Sequence, residues 1–160
     1  MGCLYRRCSV LEVHPWQLDY ADPAVARAFN NFWLDNYDLQ VAFKKAIAAI
    51  ALRVRGVDAV IGYELFNEPS PGEATAAGFE ERYLTEFYER VGNAVREADS
   101  SAPVWVEPEG LMNAGKPATL GEIDISQLVY SFHNYADLPL DFANPYAMDR
   151  TDAVGYRNQE

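Results

Sequence analysis

Cysteine, histidine and basic residues are scarce in this sequence. Its 160 residues include two cysteines, two histidines and 13 lysines and arginines, against 24 aspartates and glutamates. Cys3, Cys8 and His14 offer at most three ligands at irregular spacing, whereas a structural zinc site needs about four. A net charge of −11 without a basic stripe repels nucleic acid and anionic membrane surfaces. We therefore expect no metal and no nucleic-acid partner.

Long hydrophobic runs are also lacking. The longest near-continuous apolar run, Ala46–Leu52, is far shorter than the roughly 20 residues of a membrane-spanning helix. The first ten residues, MGCLYRRCSV, contain no apolar signal-peptide core, and Arg6 stands where a myristoylation signal requires Ser or Thr. We expect no integral membrane segment and no signal peptide in this chain. These features leave the compartment open, including a secreted or extracellular location for a full-length protein.

Apolar residues are plentiful, since 49% of the chain is hydrophobic and 13% aromatic, as in one globular domain with a sizeable core. Asp22 and Pro23 form a cap and a first helical turn, and the spacing of Val25, Phe29, Phe32 and Trp33 predicts a helix of about three turns. Two further stripes predict a helix over 39–55, through Phe43, Ile47, Ile50 and Val54, and a long amphipathic helix through Phe79, Tyr83, Phe87, Val91 and Val95.

Three short stretches rich in β-forming residues follow or separate these helices: Ala59–Leu65, Pro103–Pro108 and Gln127–Tyr135. The alternation of helix and strand predicts an α/β fold with parallel strands. Three parallel strands cannot close a barrel, and they need helices on their faces and neighbours at their edges. The pattern therefore predicts the middle of a larger α/β fold.

The stretch VIGYELFNEPSPG places a carboxylate, Glu68, directly after a buried strand and before Pro69. Burying a carboxylate costs several kcal/mol unless it is paired or changes its proton affinity. In α/β barrels, the C-terminal ends of the strands carry the catalytic groups. The alternative is that Asn-Glu-Pro forms a simple turn, since Asn and Pro both favour turns. The strand before Glu68 and the long helix after it favour a functional role.

A second candidate constellation is SFHNY, in which His133 and Tyr135 close another predicted strand. Residues two apart on a strand share one side, so both rings can face one site. The alternative is a structural histidine beside a packing tyrosine.

Together, GYELFNEP and FHNY resemble glycoside hydrolase family 5, a family of retaining glycosidases with a (β/α)8 barrel. Their context, with VWVEPEG and YSFHNYA, is most similar to the endoglycoceramidase-type branch, whose members cleave glycans from ceramide. The resemblance runs roughly from Trp16 to Tyr135. It implies a partial TIM barrel, roughly strands four to six, with residues 1–15 unassigned and residues 16–160 forming part of the catalytic domain.

The resemblance also implies residue roles. Glu68 would be the catalytic acid/base, Asn67 would hold the 2-hydroxyl of the sugar, His133 would line the same subsite, and Tyr135 would orient the nucleophile. No metal or organic cofactor is implied. The substrate would be a glycolipid or oligosaccharide, with hydrolysis of the O-glycosyl bond by double displacement.

The chain departs from the family pattern in two respects: no carboxylate is placed as the nucleophile of strand seven, and the family's Arg and His from strands two and three are absent, since His14 is too poorly placed to stand in. Glu107 ends strand five, too soon after Glu68, and is interpreted as a barrel-rim carboxylate or a distal subsite contact. Glu64 is interpreted as an interior ion-pair or hydrogen-bond partner. We therefore expect an internal fragment that is inactive in isolation. The alternatives are a cellulase- or mannanase-like β-glycanase of the same family, a non-catalytic carbohydrate-binding remnant, and a truncated product without function.

Overall fold

The computed structural model describes residue 20 and residues 22–110 and 117–133. The 1–15 segment and Tyr135 lie outside these residues. The main elements are α1 (Pro23–Trp33), α2 (Leu39–Val54), β1 (Tyr63–Glu64), α3 (Thr85–Ala98), β2 (Val104–Val106) and β3 (Leu128–Tyr130). Short 3-10 turns occupy Asn36–Asp38 and Glu73–Thr75, and a π-helical turn, Glu80–Leu84, leads into α3.

The first two helices begin where the sequence predicts, whereas the predicted long helix opens with the π-helical turn and becomes α-helical at Thr85. The Asp22 carboxylate accepts a hydrogen bond from the Ala24 N–H at 2.6 Å, and Pro23 occupies the first helical position. The predicted amphipathic stripe is confirmed, because Phe87, Val91 and Val95 are all buried against the sheet.

The predicted apolar stripe of α2 is wrong at one position, Ile50. Ile50 is 54% exposed, whereas its neighbour Ala51 is completely buried. Ala51 lies four residues after Ile47 and three before Val54, so the buried stripe passes through it and leaves Ile50 roughly 100° away.

The three strands form a parallel sheet in the order β1-β2-β3, which confirms the predicted α/β class. Tyr63 pairs with Val104, which pairs with Leu128. Along β2, Val104 and Val106 are completely buried on the helix side, and Trp105 faces the opposite side. The polar residues of the candidate site occupy this opposite side.

The first strand is shorter than the predicted range Ala59–Leu65. The chain is still turning at Val60, whose N–H donates to the Val57 carbonyl at 2.9 Å, and Ile61 is 78% exposed. The ladder begins at Tyr63 and continues past β1 through the Leu65 N–H, which donates to the Trp105 carbonyl at 3.1 Å. A local turn therefore delays the start of the strand.

A cluster of aromatic rings anchors the chain just before Glu68. The Phe66 ring lies 5.4–5.9 Å, centroid to centroid, from those of Phe32, Trp33, Phe43 and Phe87. The Trp33 indole N–H also donates to the Ser70 carbonyl at 2.7 Å. Because contacts of this kind fix the chain on both sides of Glu68, the core determines where that carboxylate lies.

Candidate active site

Glu68 and His133 meet at the C-terminal edge of the sheet, as the sequence predicts. Glu68 follows β1 and His133 follows β3, and the two side chains approach with Glu68 Oε1 at 2.6 Å from His133 Nδ1. The Glu68 side chain is 17% exposed and that of His133 is 36% exposed. Both therefore remain accessible to a ligand while they hold each other.

The backbone of Glu68 is left-handed, with φ at 43°. This conformation is unfavourable for a residue with a Cβ atom, particularly before proline, and typically costs about 1–3 kcal/mol. Two hydrogen bonds hold it: the Glu68 N–H donates to Glu107 Oε2 at 2.7 Å, and the Gly110 N–H donates to the Pro69 carbonyl at 2.9 Å. Backbone strain is thus located at the predicted catalytic residue, where strain often marks function.

Glu107 lies beside Glu68, so its interpretation as a distal subsite contact is wrong. Only 1% of it is exposed, its Oε2 atom accepts the Glu68 N–H, and its Oε1 atom lies 3.1 Å from His133 Nε2. The sequence contained one indication of this position. Side chains two residues apart on a strand point to the same side of the sheet, so Glu107 lies on the same side as Trp105. The backbone of Glu107 is held by Tyr88 in α3, which no local pattern connects to it.

Tyr88 holds the backbone of Glu107 through its buried hydroxyl. That hydroxyl donates to the Glu107 carbonyl at 2.7 Å and accepts from the Glu107 N–H at 3.3 Å. We expect Tyr88→Phe to destabilise the protein by about 2 kcal/mol, because it leaves two buried backbone groups without their partner. Denaturant unfolding would measure this loss. Tyr83→Phe, at a half-buried position, is the matched control, and equal losses for both variants would contradict the assignment.

The pKa values of Glu107 and His133 are both raised in this cluster. Burial raises the pKa of the Glu107 carboxyl, and the hydrogen bond and charge of Glu64 add to this effect, whereas the Glu68 N–H and His133 oppose it. The hydrogen bond that the Glu68 carboxylate accepts raises the pKa of His133, with further increases from the charges of Glu107, Glu68 and Glu64 and opposition from burial. Glu64 is exposed rather than interior as predicted, and it acts on the pKa of both groups.

An open cleft on the side of the sheet opposite α3 leads to this cluster. Its lining residues are Ile61, Gly62, Glu64, Trp105, Glu107, Ser131, Phe132 and His133. Gly62 allows the strands to approach, because a Cβ atom there would lie 2.5 Å from Trp105 Nε1 and 2.8 Å from the Pro103 carbonyl oxygen. Trp105 and Phe132 supply aromatic surface beside the carboxylates, an arrangement suited to a ligand with both hydroxyl and apolar faces.

Two predicted ligand contacts remain predictions. Asn67 is exposed next to Glu68, and Tyr135 lies outside the described residues. Cys3, Cys8 and His14 lie outside them too. Within the described ranges, no group of three or more histidine, cysteine, aspartate or glutamate side chains is arranged to hold a metal ion. The geometry supports proton transfer by Glu68, with His133 as its partner.

No helix in the described part of the chain has both the length and the apolar character needed to cross a membrane.

Comparison with known proteins identifies relatives of this chain. Residues 10–159 match the family model described as cellulase, glycosyl hydrolase family 5. Endoglycoceramidase I of Rhodococcus hoagii (strain 103S) is 26% identical over 130 residues, which are 74% of this chain and 26% of that protein. The chain therefore spans about a quarter of this relative's length.

Two solved structures of endo-glycoceramidase II from Rhodococcus sp. are also similar. The ganglioside GM3 complex has a TM-score of 0.74 at 36% identity, covering 83% of this chain and 32% of that one. The lactosyl-enzyme intermediate has a TM-score of 0.71 at 35% identity, covering 78% and 31%. The similarity at this level includes the sequence as well as the fold.

Proposed function

Since the chain belongs to glycosyl hydrolase family 5, we propose that it contributes the acid/base half of a retaining active site that hydrolyses O-glycosyl bonds. The family and the structural neighbours imply a TIM-barrel fold. In this proposal the parallel sheet β1-β2-β3 corresponds to strands four to six of such a barrel. The observation that carries the proposal is the strand-end Glu68, whose Oε1 atom lies 2.6 Å from His133 Nδ1.

Glu68 acts twice in the proposed reaction. It first donates its proton to the glycosidic oxygen while a second carboxylate attacks the anomeric carbon, so that the C–O bond breaks and a glycosyl-enzyme forms. It then removes a proton from water, which displaces the carboxylate and releases the sugar. The lactosyl-enzyme intermediate of the relative supports a covalent step of this kind.

The second carboxylate is assigned to a part of the protein outside the described residues. Retention needs two carboxyl groups about 5–5.5 Å apart, one on each face of the sugar. Glu107 does not meet this requirement, because it is buried and already accepts the Glu68 N–H. In the same proposal Asn67 holds the 2-hydroxyl, His133 lines the subsite, and Tyr135 orients the nucleophile.

The proposed substrates are glycosphingolipids, cleaved between glycan and ceramide. The GM3 complex and the two endoglycoceramidase relatives support this substrate class. The aromatic surface of Trp105 and Phe132 in the cleft is compatible with it. The family model's own description, cellulase, favours a soluble β-glucan as the second candidate.

A side-by-side assay of the complete protein distinguishes the two candidates. We expect turnover of a glycosphingolipid in detergent micelles, measured by release of the intact glycan, at a kcat/KM well above that for soluble β-glucan. Turnover confined to the glucan would assign the β-glycanase function instead. Binding without turnover of either substrate would reduce the protein to a carbohydrate-binding role.

A further inference from the structure

We propose that Glu107 is a positioning residue that fixes both the backbone of Glu68 and the protonation pattern of His133. One carboxylate oxygen holds the Glu68 N–H, and the other faces His133 Nε2. The inference rests on the proposed role of Glu68 as acid/base, and it adds a buried third member to the Glu68–His133 pair.

The first function of Glu107 is to hold strained backbone. The left-handed conformation of Glu68 aims its side chain at His133 and needs a compensating interaction. The 2.7 Å bond from the Glu68 N–H to Glu107 Oε2 supplies it, and such bonds to a carboxylate are stronger than neutral ones. Tyr88 binds the backbone of Glu107, which limits the movement of this carboxylate if the backbone at Glu68 relaxes.

The second function is to determine which nitrogen of His133 carries the proton. Glu107 Oε1 lies 3.1 Å from His133 Nε2, within ion-pair distance although the contact lacks hydrogen-bond geometry, and the charge of an ionised carboxylate there favours a proton on Nε2. Nδ1 then meets Glu68 Oε1 at 2.6 Å, a contact that needs one proton between the two atoms. Glu68 therefore retains its proton against the Nδ1 lone pair, or the imidazolium holds that same proton beside the Glu68 carboxylate.

Among the described residues, the carboxyl groups of Glu68, Glu64 and Glu107 surround this proton, with the neutral phenol of Tyr88 beside Glu107. Glu68 follows β1, Glu64 lies in β1 and Glu107 follows β2, whereas Tyr88 reaches Glu107 from α3. Burial and the Glu64 carboxyl raise the pKa of Glu107, whereas the Glu68 N–H on Oε2 and His133 beside Oε1 favour its ionised form. The negative charge of Glu107 then stabilises the proton on the imidazole.

The test uses nitrogen-15 NMR of the imidazole rings in the whole chain. The chain has only two histidines, so a His14→Gln variant assigns both signals. In the wild-type protein we expect His133 to keep Nε2 protonated at every pH. The proton at the Glu68–Nδ1 contact should leave only above the ordinary histidine pKa of about 6.5.

Glu107→Gln should reverse this pattern. Its amide oxygen can still accept the Glu68 N–H, which turns the NH2 group toward His133 Nε2. Nε2 then becomes the acceptor, the neutral ring changes to the Nδ1–H tautomer, and the midpoint of the His133 titration falls by about 1–3 pH units because one negative charge is lost. The exposed Glu81→Gln variant is the control for loss of charge alone.

Two results would overturn the proposal. One is a neutral wild-type His133 with its proton on Nδ1, which needs no variant and so remains decisive if Glu107→Gln fails to fold. The other is a folded Glu107→Gln protein, checked by circular dichroism, whose His133 tautomer and midpoint equal those of Glu81→Gln. The NMR experiment measures the protonation of the imidazole ring without any glycoside. A failure of the proposed hydrolysis would therefore be detected only in the substrate assay, and the two failures can be distinguished.

Discussion

Glu68→Gln in the complete protein should lower the turnover of a natural glycoside by about 10²–10⁴-fold, the usual contribution of a general acid. The amide keeps the size of the side chain and can still meet His133 Nδ1, so the fold should be retained. A natural leaving group departs as a poorly stabilised alkoxide unless it is protonated. The loss should therefore be largest on such substrates.

An activated aryl glycoside provides the discriminating comparison, because its leaving group needs little protonation. We expect formation of the glycosyl-enzyme from it to be nearly unaffected by Glu68→Gln, as measured by the burst of released phenol. Glu73→Gln, an exposed carboxylate in the following loop, is the control and should leave both substrates unaffected. Equal losses on both substrates would show that Glu68 binds or positions the substrate instead of protonating it.

Local features were sufficient to predict the helices and the position of the candidate acid. The cap at Asp22 and the stripe through Phe87 each depend on residues close together in the chain. The local sequence is therefore enough to predict them. The meeting of Glu68 with His133 follows from topology, since parallel strands bring their C-terminal ends to one edge.

Features that depend on distant neighbours were not predictable in this way. Glu107 has its backbone bound by Tyr88 and its carboxyl group beside His133, both from other elements, and Ile61 is exposed because a turn at Val57 delays the strand. The left-handed backbone of Glu68 contradicts the extended preference of a residue before proline. Such a departure from local preference occurs where tertiary contacts compensate for the cost, here the hydrogen bond to Glu107.

Glu80 is another polar residue whose role only the fold reveals. It lies in the π-helical turn before α3 and is 2% exposed, although in the sequence it is one of two adjacent glutamates. Its Oε1 atom accepts the Glu109 N–H at 2.7 Å, and its Oε2 atom accepts both the N–H of Thr119 and its hydroxyl, the latter at 2.9 Å. One carboxylate thus connects the two described ends of the segment that follows β2.

This connection reaches the candidate active site. Glu109 precedes Gly110, whose N–H donates to the Pro69 carbonyl, and a Cβ atom at Gly110 would lie 3.4 Å from that of Glu68. Loss of the Glu80 carboxylate should therefore loosen the backbone that supports Glu68 as well as reduce the stability of the fold.

We expect Glu80→Ala to lower the free energy of unfolding by about 3 kcal/mol, because it leaves three donors without their charged acceptor. For a chain of this size, that loss corresponds to a fall in Tm of about 10 °C. Glu81→Ala removes the same charge from the adjacent, exposed position and should change the unfolding free energy by less than about 0.5 kcal/mol. Glu80→Gln should lie between the two, since its amide retains one acceptor oxygen. Denaturant unfolding of all three variants measures the order, and a Glu80→Ala protein as stable as Glu81→Ala would show that the buried carboxylate does not hold this segment.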